Sequence, residues 1–322
     1  MPKASLRDIR KRITSVRSTQ QITKAMKMVA TAKLRRAQEN ILATRPYAAK
    51  MLEVLRSLAA RTSPDAHPLL FRRAPKKIEV VLLTSDRGLC GAFNMNLISR
   101  AERFLQEEKG AESLTLSFIG RKGRDYFRKR KVTIRQEYVN LFAKVDYPLA
   151  ARIGQDLVES FVAERVDAIY LLYSEFKSAI QQRVILEKLL PLASDVLPGA
   201  HGPGKVAPPG PSPMPATVEY IYEPSEREIL GKILPMYVEV QVYRALLESA
   251  ASEFGARMTA MENATNNAAD MIDKLTLVYN KARQAAITKE LIEIVSGAEA
   301  LKEKRSGQRS AQRQRSDFFA DR

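Results

Sequence analysis

Pro235–Ala300 reads PMYVEVQVYRALLESAASEFGARMTAMENATNNAADMIDKLTLVYNKARQAAITKELIEIVSGAEA. No further proline follows up to Arg322, and within the stretch only Gly255 and Gly297 weaken a helix. Met236, Val240, Tyr243, Leu247, Ala250, Phe254, Arg257 and Met261 recur by four and three, the spacing of a coiled-coil seam. Ala264, Ala268, Met271, Leu275, Val278, Ala282 and Ala285 continue it. One helix over 236–296 would be roughly 90 Å long at about 1.5 Å per residue, far more than a compact domain needs. Between Ala250 and Ala269 alanine fills most inward positions. Such a seam lets a second helix approach closely but gives up the hydrophobic stabilisation that leucine would supply.

The partner helix lies at the other end of the chain. Ser5–Ala43 lacks Pro and Gly, and Leu6, Ile9, Ile13 and Val16 begin an apolar stripe. Ile22, Met26 and Val29, then Ala30, Leu34, Ala37 and Ile41, continue it after a change of phase, and Pro46 marks a kink or end before Tyr47–Ala60 extends the helix. Pairing the two helices brings the termini together and leaves 76–222 as a body inserted between them.

That body alternates strands and helices after a proline-bearing loop at 61–75. Strands are expected at Ile78–Thr84, Leu114–Ile119, Val132–Gln136 and Ala168–Tyr173, with Ala179–Leu190 extended. Helices follow Asn94 and cover Leu149–Glu164, and Arg121–Arg130 is a basic turn or short helix. The fold class is therefore α/β: a long antiparallel coiled coil of N- and C-terminal helices plus an inserted Rossmann-like domain with a mainly parallel sheet. The expected organisation is a shaft helix over 1–60, a globular domain over 76–222, a second shaft helix over 232–300 and a basic tail over 301–322. Val196–Pro215, with seven prolines and four glycines, reads as an insertion without fixed structure, and Val218–Tyr222 returns as an edge strand.

Composition narrows the function. The formal net charge is +17, and residues 1–50 hold thirteen Lys or Arg against two acidic residues, a field suited to an acidic or polyanionic partner. Aromatics are not interleaved with these cations, which argues against a stacking platform for single strands. The longest apolar runs are strand-sized, and neither a membrane span nor a secretory signal is expected. Cys90 is the sole cysteine, so an internal disulfide is excluded, and a cytosolic or cytosol-facing protein follows. His67 and His201 lie in proline-rich surroundings and read as surface residues.

Ser85–Asn94 sits where an α/β sheet often holds phosphate, yet neither Gly-x-Gly-x-x-Gly nor Gly-Lys-Ser/Thr is present. Gly88 and Gly91 read as a tight turn, Asp86 as its cap and Cys90 as a small buried hydrophobe. Ser174 has no histidine companion, so no nucleophile is read there. Arg257 interrupts the seam and is expected to reach an external acceptor rather than lie unpaired inside. Catalytic, cofactor and metal sites are all expected to be absent. From the residues alone, the competing function is a basic coiled-coil scaffold that binds nucleic acid with strong salt dependence.

Several separated motifs carry a resemblance. Ile22-Thr-Lys-Ala-Met-Lys-Met-Val-Ala30 with Ala32–Gln38, Ser252–Asn266, Leu277–Leu291, Ser85–Asn94 and Ser174–Ala179 resemble, in order, the signatures of the gamma subunit family of F-type ATP synthases. The resemblance covers 1–195 and 218–300. It implies a non-catalytic central rotor shaft of a rotary proton-transporting ATP synthase, turned by the c-subunit ring inside three alpha and three beta subunits and gripped by epsilon. The ATP chemistry is then on beta, no nucleic acid is expected, and the chain is peripheral on the cytoplasmic face of the cell membrane, one copy per complex. The resemblance also implies rotor–stator contacts at Lys24, Met26, Lys27, Arg257, Gln284 and Thr288. Three features depart from the family pattern: Phe254-Gly255, which raises the question of local rigidity, the 196–215 insertion, and the extension beyond Ala300.

Overall fold

The computed structural model describes residues 5–59, 67–71, 73–108, 110–142, 145–179, 181–192 and 225–320. The expected insertion at 196–215, the return strand at 218–222 and the 61–66 part of the proline-bearing loop lie outside these residues.

Helix α1 spans Leu6–Ala59. Ser5 starts it, its Oγ accepting from Asp8 N at 3.2 Å and donating to the Asp8 carboxylate at 2.9 Å, which satisfies one of the first-turn donors. Pro46 neither ends nor interrupts the assigned helix. Helix α5 spans Glu226–Ala320 and includes Pro235. It begins before the expected residue 232 and continues through the stretch read as a tail beyond 300.

Between them lie β1 (Lys77–Leu83), α2 (Phe93–Glu107), β2 (Ser113–Ile119), α3 (Arg121–Phe127), β3 (Thr133–Tyr138), α4 (Tyr147–Val162), β4 (Ala168–Phe176) and β5 (Gln182–Leu190). The strands form one sheet in the order β3-β2-β1-β4-β5. β1 pairs parallel with β2 and β4, β2 parallel with β3, and β4 antiparallel with β5. The mainly parallel sheet expected from the alternation is thus present, with an antiparallel hairpin at one edge.

As the central strand, β1 is buried on both faces, which explains its nearly unbroken apolar run. Ile78, Val80 and Leu82 pack with Phe93, Leu97, Ala101 and Phe104 of α2 and with Phe127. Val81 and Leu83 face the other way, into a core shared with Ile153, Leu157 and Phe161 of α4 and Leu234, Val238 and Val242 of α5. A Cβ at Gly154 would lie 3.0 Å from Glu239 Cα, so its absence lets the backbones of α4 and α5 approach closely.

The chain divides into two compact units, one of residues 1–24 with 263–322 and the other of residues 25–262. In the first, Arg10 Nη2 donates to Tyr279 Oη at 3.0 Å, and the Thr23 and Thr265 hydroxyls are 2.8 Å apart. In the second, Lys27 pairs with Glu262 at 2.7 Å, Lys33 Nζ sits 5.4 Å from the Phe254 ring centroid, and Tyr47 Oη lies 3.1 Å from Met236 Sδ. In each unit the partners run in opposite order along the two helices, so α1 and α5 pair antiparallel.

The seam departs from the apolar reading in one respect. The inward positions of α1 keep a single heptad register through Val16, Gln20, Thr23, Lys27, Ala30 and Leu34, with no change of phase. Ile22 and Val29, read as seam residues, are instead 57% exposed each. On α5 the less exposed positions are Thr265, Ala268, Ile272, Leu275, Tyr279 and Ala282, while Met271 and Val278 face solvent. Polar residues occupy part of the true seam, and an apolar count moves to the nearest hydrophobe one residue away.

Candidate functional site

In an open α/β sheet, ligands favour the crevice where neighbouring strands send their following connections apart, beyond the strands' carboxyl ends. Here that point lies between β1 and β4. Its two walls are the loop after β1, residues 84–92, and the end of β4 with the turn into β5.

The first wall is tightly braced. The Asn94 side chain accepts from Ser85 N at 2.9 Å and donates to Ser85 Oγ at 2.8 Å and to Cys90 Sγ at 3.1 Å. Ser85 Oγ also lies 2.6 Å from the Arg87 carbonyl. Cys90 is buried, as read, and burial pushes its thiol pKa up. Leu89 and Gly91 both take positive φ, at 65° and 57°. For glycine this is routine; for leucine it is unfavourable by about 1–2 kcal/mol. Asp86 does not cap its own turn. Its Oδ1 accepts from Arg121 N at 3.1 Å and Asn140 N at 2.8 Å, tying the loops after β1, β2 and β3 together.

Helix α5 fills the crevice. Ser252 Oγ donates to the Ser174 carbonyl at 2.9 Å, and Thr259 Oγ1 to the Ala179 carbonyl at 3.2 Å. A Cβ on Gly255 would lie 3.3 Å from the Ala179 carbonyl oxygen and 3.4 Å from the Phe176 ring. Gly255 is therefore a place of close backbone approach within an unbroken helix. Phe254 beside it packs with Leu34, Ala37 and Ile41 of α1.

Arg257 lies at the centre of this contact. Its guanidinium donates to the Gly88 carbonyl at 2.6 Å and pairs with the Glu253 carboxylate, and its side chain is only 12% exposed. Within the chain Arg257 has internal acceptors, because α5 presents it to the carbonyls of the loop after β1. Burial raises the Glu253 pKa, and Arg257 opposes that shift. The signal for the pair was in the sequence: Glu253 precedes Arg257 by four, one helical turn.

The other residues implied by the resemblance are spread over the two units. Lys24, Gln284 and Thr288 are exposed in the unit formed by the chain ends. Met26 and Lys27 are half-buried in the larger unit, and Lys27 is engaged by Glu262. Within the larger unit the structure joins Lys27 to Glu262 and Arg257 to the loop after β1.

Arg257→Ala is expected to lower stability by about 1–3 kcal/mol, because it leaves the buried Glu253 carboxylate without its cation. Adding Glu253→Gln should recover most of that loss. A double-mutant cycle read by urea unfolding checks this, and strictly additive losses would refute the coupling.

The ATP synthase family model matches residues 5–301. ATP synthase gamma chains of Geobacter sp. (strain M21) and Anaeromyxobacter sp. (strain Fw109-5) are 52% and 53% identical, covering 93% and 92% of this chain and 99% of each relative. The central stalk and c-ring structure of the Tetrahymena thermophila mitochondrial ATP synthase holds a chain 29% identical, with TM-score 0.56, over 76% of this chain and 99% of that one. A chain in the Euglena gracilis mitochondrial ATP synthase shares the fold at TM-score 0.64 and 24% identity, over 92% of this chain and 94% of that one. Agreement in sequence along nearly the whole of this chain and of these relatives leads to one assignment: this chain belongs to the ATP synthase gamma-chain family.

Proposed function

We infer that this chain is the central rotor shaft of an F-type ATP synthase, transmitting rotation between an ion-driven c ring and catalytic subunits that carry out the ATP chemistry. The observation that carries the reading is the end-to-end match to gamma chains at about half identity. The paired terminal helices support it, since a shaft needs two strands that resist torsion together. The alanine-rich seam makes that pair narrow.

Its partners on this reading are three alpha and three beta subunits, epsilon and the c ring. No described helix is long and apolar enough to cross a membrane; attachment is proposed to be peripheral, on the cytoplasmic side. Lys24, Met26, Gln284 and Thr288 are proposed to meet the surrounding stator. Lys27 and Arg257 are proposed to join them. Contacts that are individually weak let the shaft leave each angle, and a different face toward each catalytic subunit biases otherwise similar sites apart.

The test is isolation of the intact membrane complex through a tag on this chain. Alpha, beta, epsilon and c subunits are expected to co-purify in fixed ratio. Recovery of the chain alone, or of the chain with salt-sensitive nucleic acid, would overturn the assignment and favour the basic scaffold.

A further inference from the structure

The amino end of the sheet carries charge that neither the core nor the crevice uses. In the larger unit α5 runs out past the carboxyl ends of the parallel strands, where Ser252 and Thr259 meet the end of β4 and the turn after it. The turns before β1, β2, β3 and β4 therefore form the opposite face. The turn before β3 reads Arg128-Lys-Arg-Lys131, four cations in succession. Its backbone is fixed: Arg128 N donates to the Arg124 carbonyl at 2.8 Å, Arg130 N to the Phe127 carbonyl at 2.8 Å and Val132 N to the Arg130 carbonyl at 2.9 Å. Phe127 anchors it in the core. The Arg130 guanidinium carbon lies 3.5 Å from the Tyr126 ring centroid, and its Nε is 3.3 Å from the Glu102 carboxylate of α2.

Arg128, Lys129 and Lys131 are left exposed, with no ion pair to any described residue. Lys76 and Lys77, exposed at the start of β1, add to them, and the turns before β2 and β4 each return one negative charge, so the face keeps a formal surplus of four. Of the carboxylates there, Asp167 accepts from the backbone N–H groups of Lys76 and Lys77, and Glu164 is held by Arg73. Like charges crowded on a fixed turn repel, and an anionic partner lifts that cost. We propose that this face is an electrostatic membrane contact, in which Arg128, Lys129 and Lys131 attract the anionic headgroups of lipids around the c ring. Two considerations favour lipid over an acidic protein. With catalytic subunits enclosing the paired helices, the opposite face of the larger unit looks toward the membrane. A fluid leaflet also presents the same charge at every angle, whereas carboxylates fixed on a stationary subunit would hold the shaft at the angle that matched them. The run adds no exposed apolar side chain, Phe127 being buried and Val132 half-buried, so the attraction is one of charge and is sensitive to salt.

The membrane contact rests on the rotor assignment, which co-purification of alpha, beta, epsilon and c subunits tests first and separately. The tagged complex, with the photo-crosslinker p-benzoylphenylalanine in place of Lys129, is then reconstituted into vesicles of phosphatidylcholine alone or with an equal part of phosphatidylglycerol. Lipid adducts on this chain are expected in the anionic vesicles at a yield at least ~5-fold above the neutral ones, about the gain from one Lys or Arg near a charged surface. They should disappear at about 1 M salt, where the screening length is about 3 Å. Arg128→Gln with Lys131→Gln should lower the yield at position 129 by at least ~5-fold without altering subunit ratios, since both side chains are exposed. The same crosslinker at Lys122, at the carboxyl end of the sheet, should give no lipid adduct. Equal yields from the two vesicle compositions, an unchanged yield in the double variant, lipid adducts at Lys122, adducts to a protein subunit instead of lipid, or no adduct in a complex of complete composition would each overturn the membrane contact and leave the rotor assignment standing.

Discussion

Gly120→Ala is expected to prevent stable folding of the unit formed by residues 25–262, with a loss above ~4 kcal/mol, the range reserved for changes the backbone cannot absorb. Gly120 follows β2 with φ 99° and ψ 150°, a region that residues bearing a Cβ essentially do not enter. Space forbids the change as firmly as torsion does. A Cβ there would overlap the Thr84 carbonyl oxygen and lie 2.7 Å from the Thr84 carbonyl carbon. Neither neighbour can retreat. Thr84 N donates to the Ile119 carbonyl at 2.8 Å and Gly120 N to the Tyr138 carbonyl at 2.7 Å, so β1, β2 and β3 are knotted together at this residue. Relief of the clash would open the carboxyl end of the sheet, where Asp86, Arg121 and Asn140 join the loops. Gly123→Ala, three residues on, is the internal control. Its Cβ would meet side-chain atoms of Thr84 at 3.0 Å rather than backbone, so a smaller loss of about 1–3 kcal/mol is expected. Soluble yield and urea midpoints of the two variants check the contrast, and equal stabilities would refute it.

Much of this architecture can be read from residue order. The run Ile78–Leu83 announces a central strand, the alternation of elements announces a parallel sheet, and two proline-poor termini announce paired helices. Legibility fails where the physical determinant is not hydrophobicity. Thr23 and Thr265 occupy the seam because their hydroxyls satisfy each other across it, and Lys27 because Glu262 meets it. An apolar stripe passes over all four. Arg257 shows a second kind of failure. An arginine on a seam suggests an outside acceptor, and within the chain it also meets a backbone carbonyl 169 positions away. Backbone acceptors have no sequence signature. Leu89 is the third kind, since a left-handed leucine is invisible until the turn is built.

Arg135→Met should destabilise the larger unit by about 3–5 kcal/mol near neutral pH, the expected result of leaving a buried charge without its partner. Glu79 breaks the apolar run of β1, and its side chain is fully buried. It accepts from Ser117 Oγ on β2 and pairs with Arg135 Nε on β3 at 2.8 Å. Arg135 also reaches Asp156 of α4 at 2.8 Å, and Tyr138 donates to the same carboxylate at 2.9 Å. Burial raises the Glu79 pKa above its ordinary value of 4.5, with Ser117 and Arg135 pulling it back. Burial pushes Asp156 the same way, but the bonds from Arg135 and Tyr138 prevail and hold its pKa low. These opposite shifts set the pH dependence. A depressed carboxylate contributes stability that is present above its unfolded pKa and disappears as pH falls through its folded one. A raised carboxylate contributes stability that is complete below its unfolded pKa and disappears as pH rises through its folded one. Removing Arg135 withdraws much of the Asp156 contribution and raises the Glu79 pKa further. The variant should therefore lose most at neutral pH and come closer to the parent as pH falls toward the ordinary carboxylate range, where Glu79 enters the core protonated. Adding Glu79→Gln should remove the Glu79 part of this trend, because a neutral amide needs no cation, and leave only the part due to Asp156. Urea unfolding of parent, single and double variants from neutral pH into the acid range measures each term. A stability difference that does not shrink on acidification would show that Arg135 acts by packing, and that Glu79 does not depend on its charge.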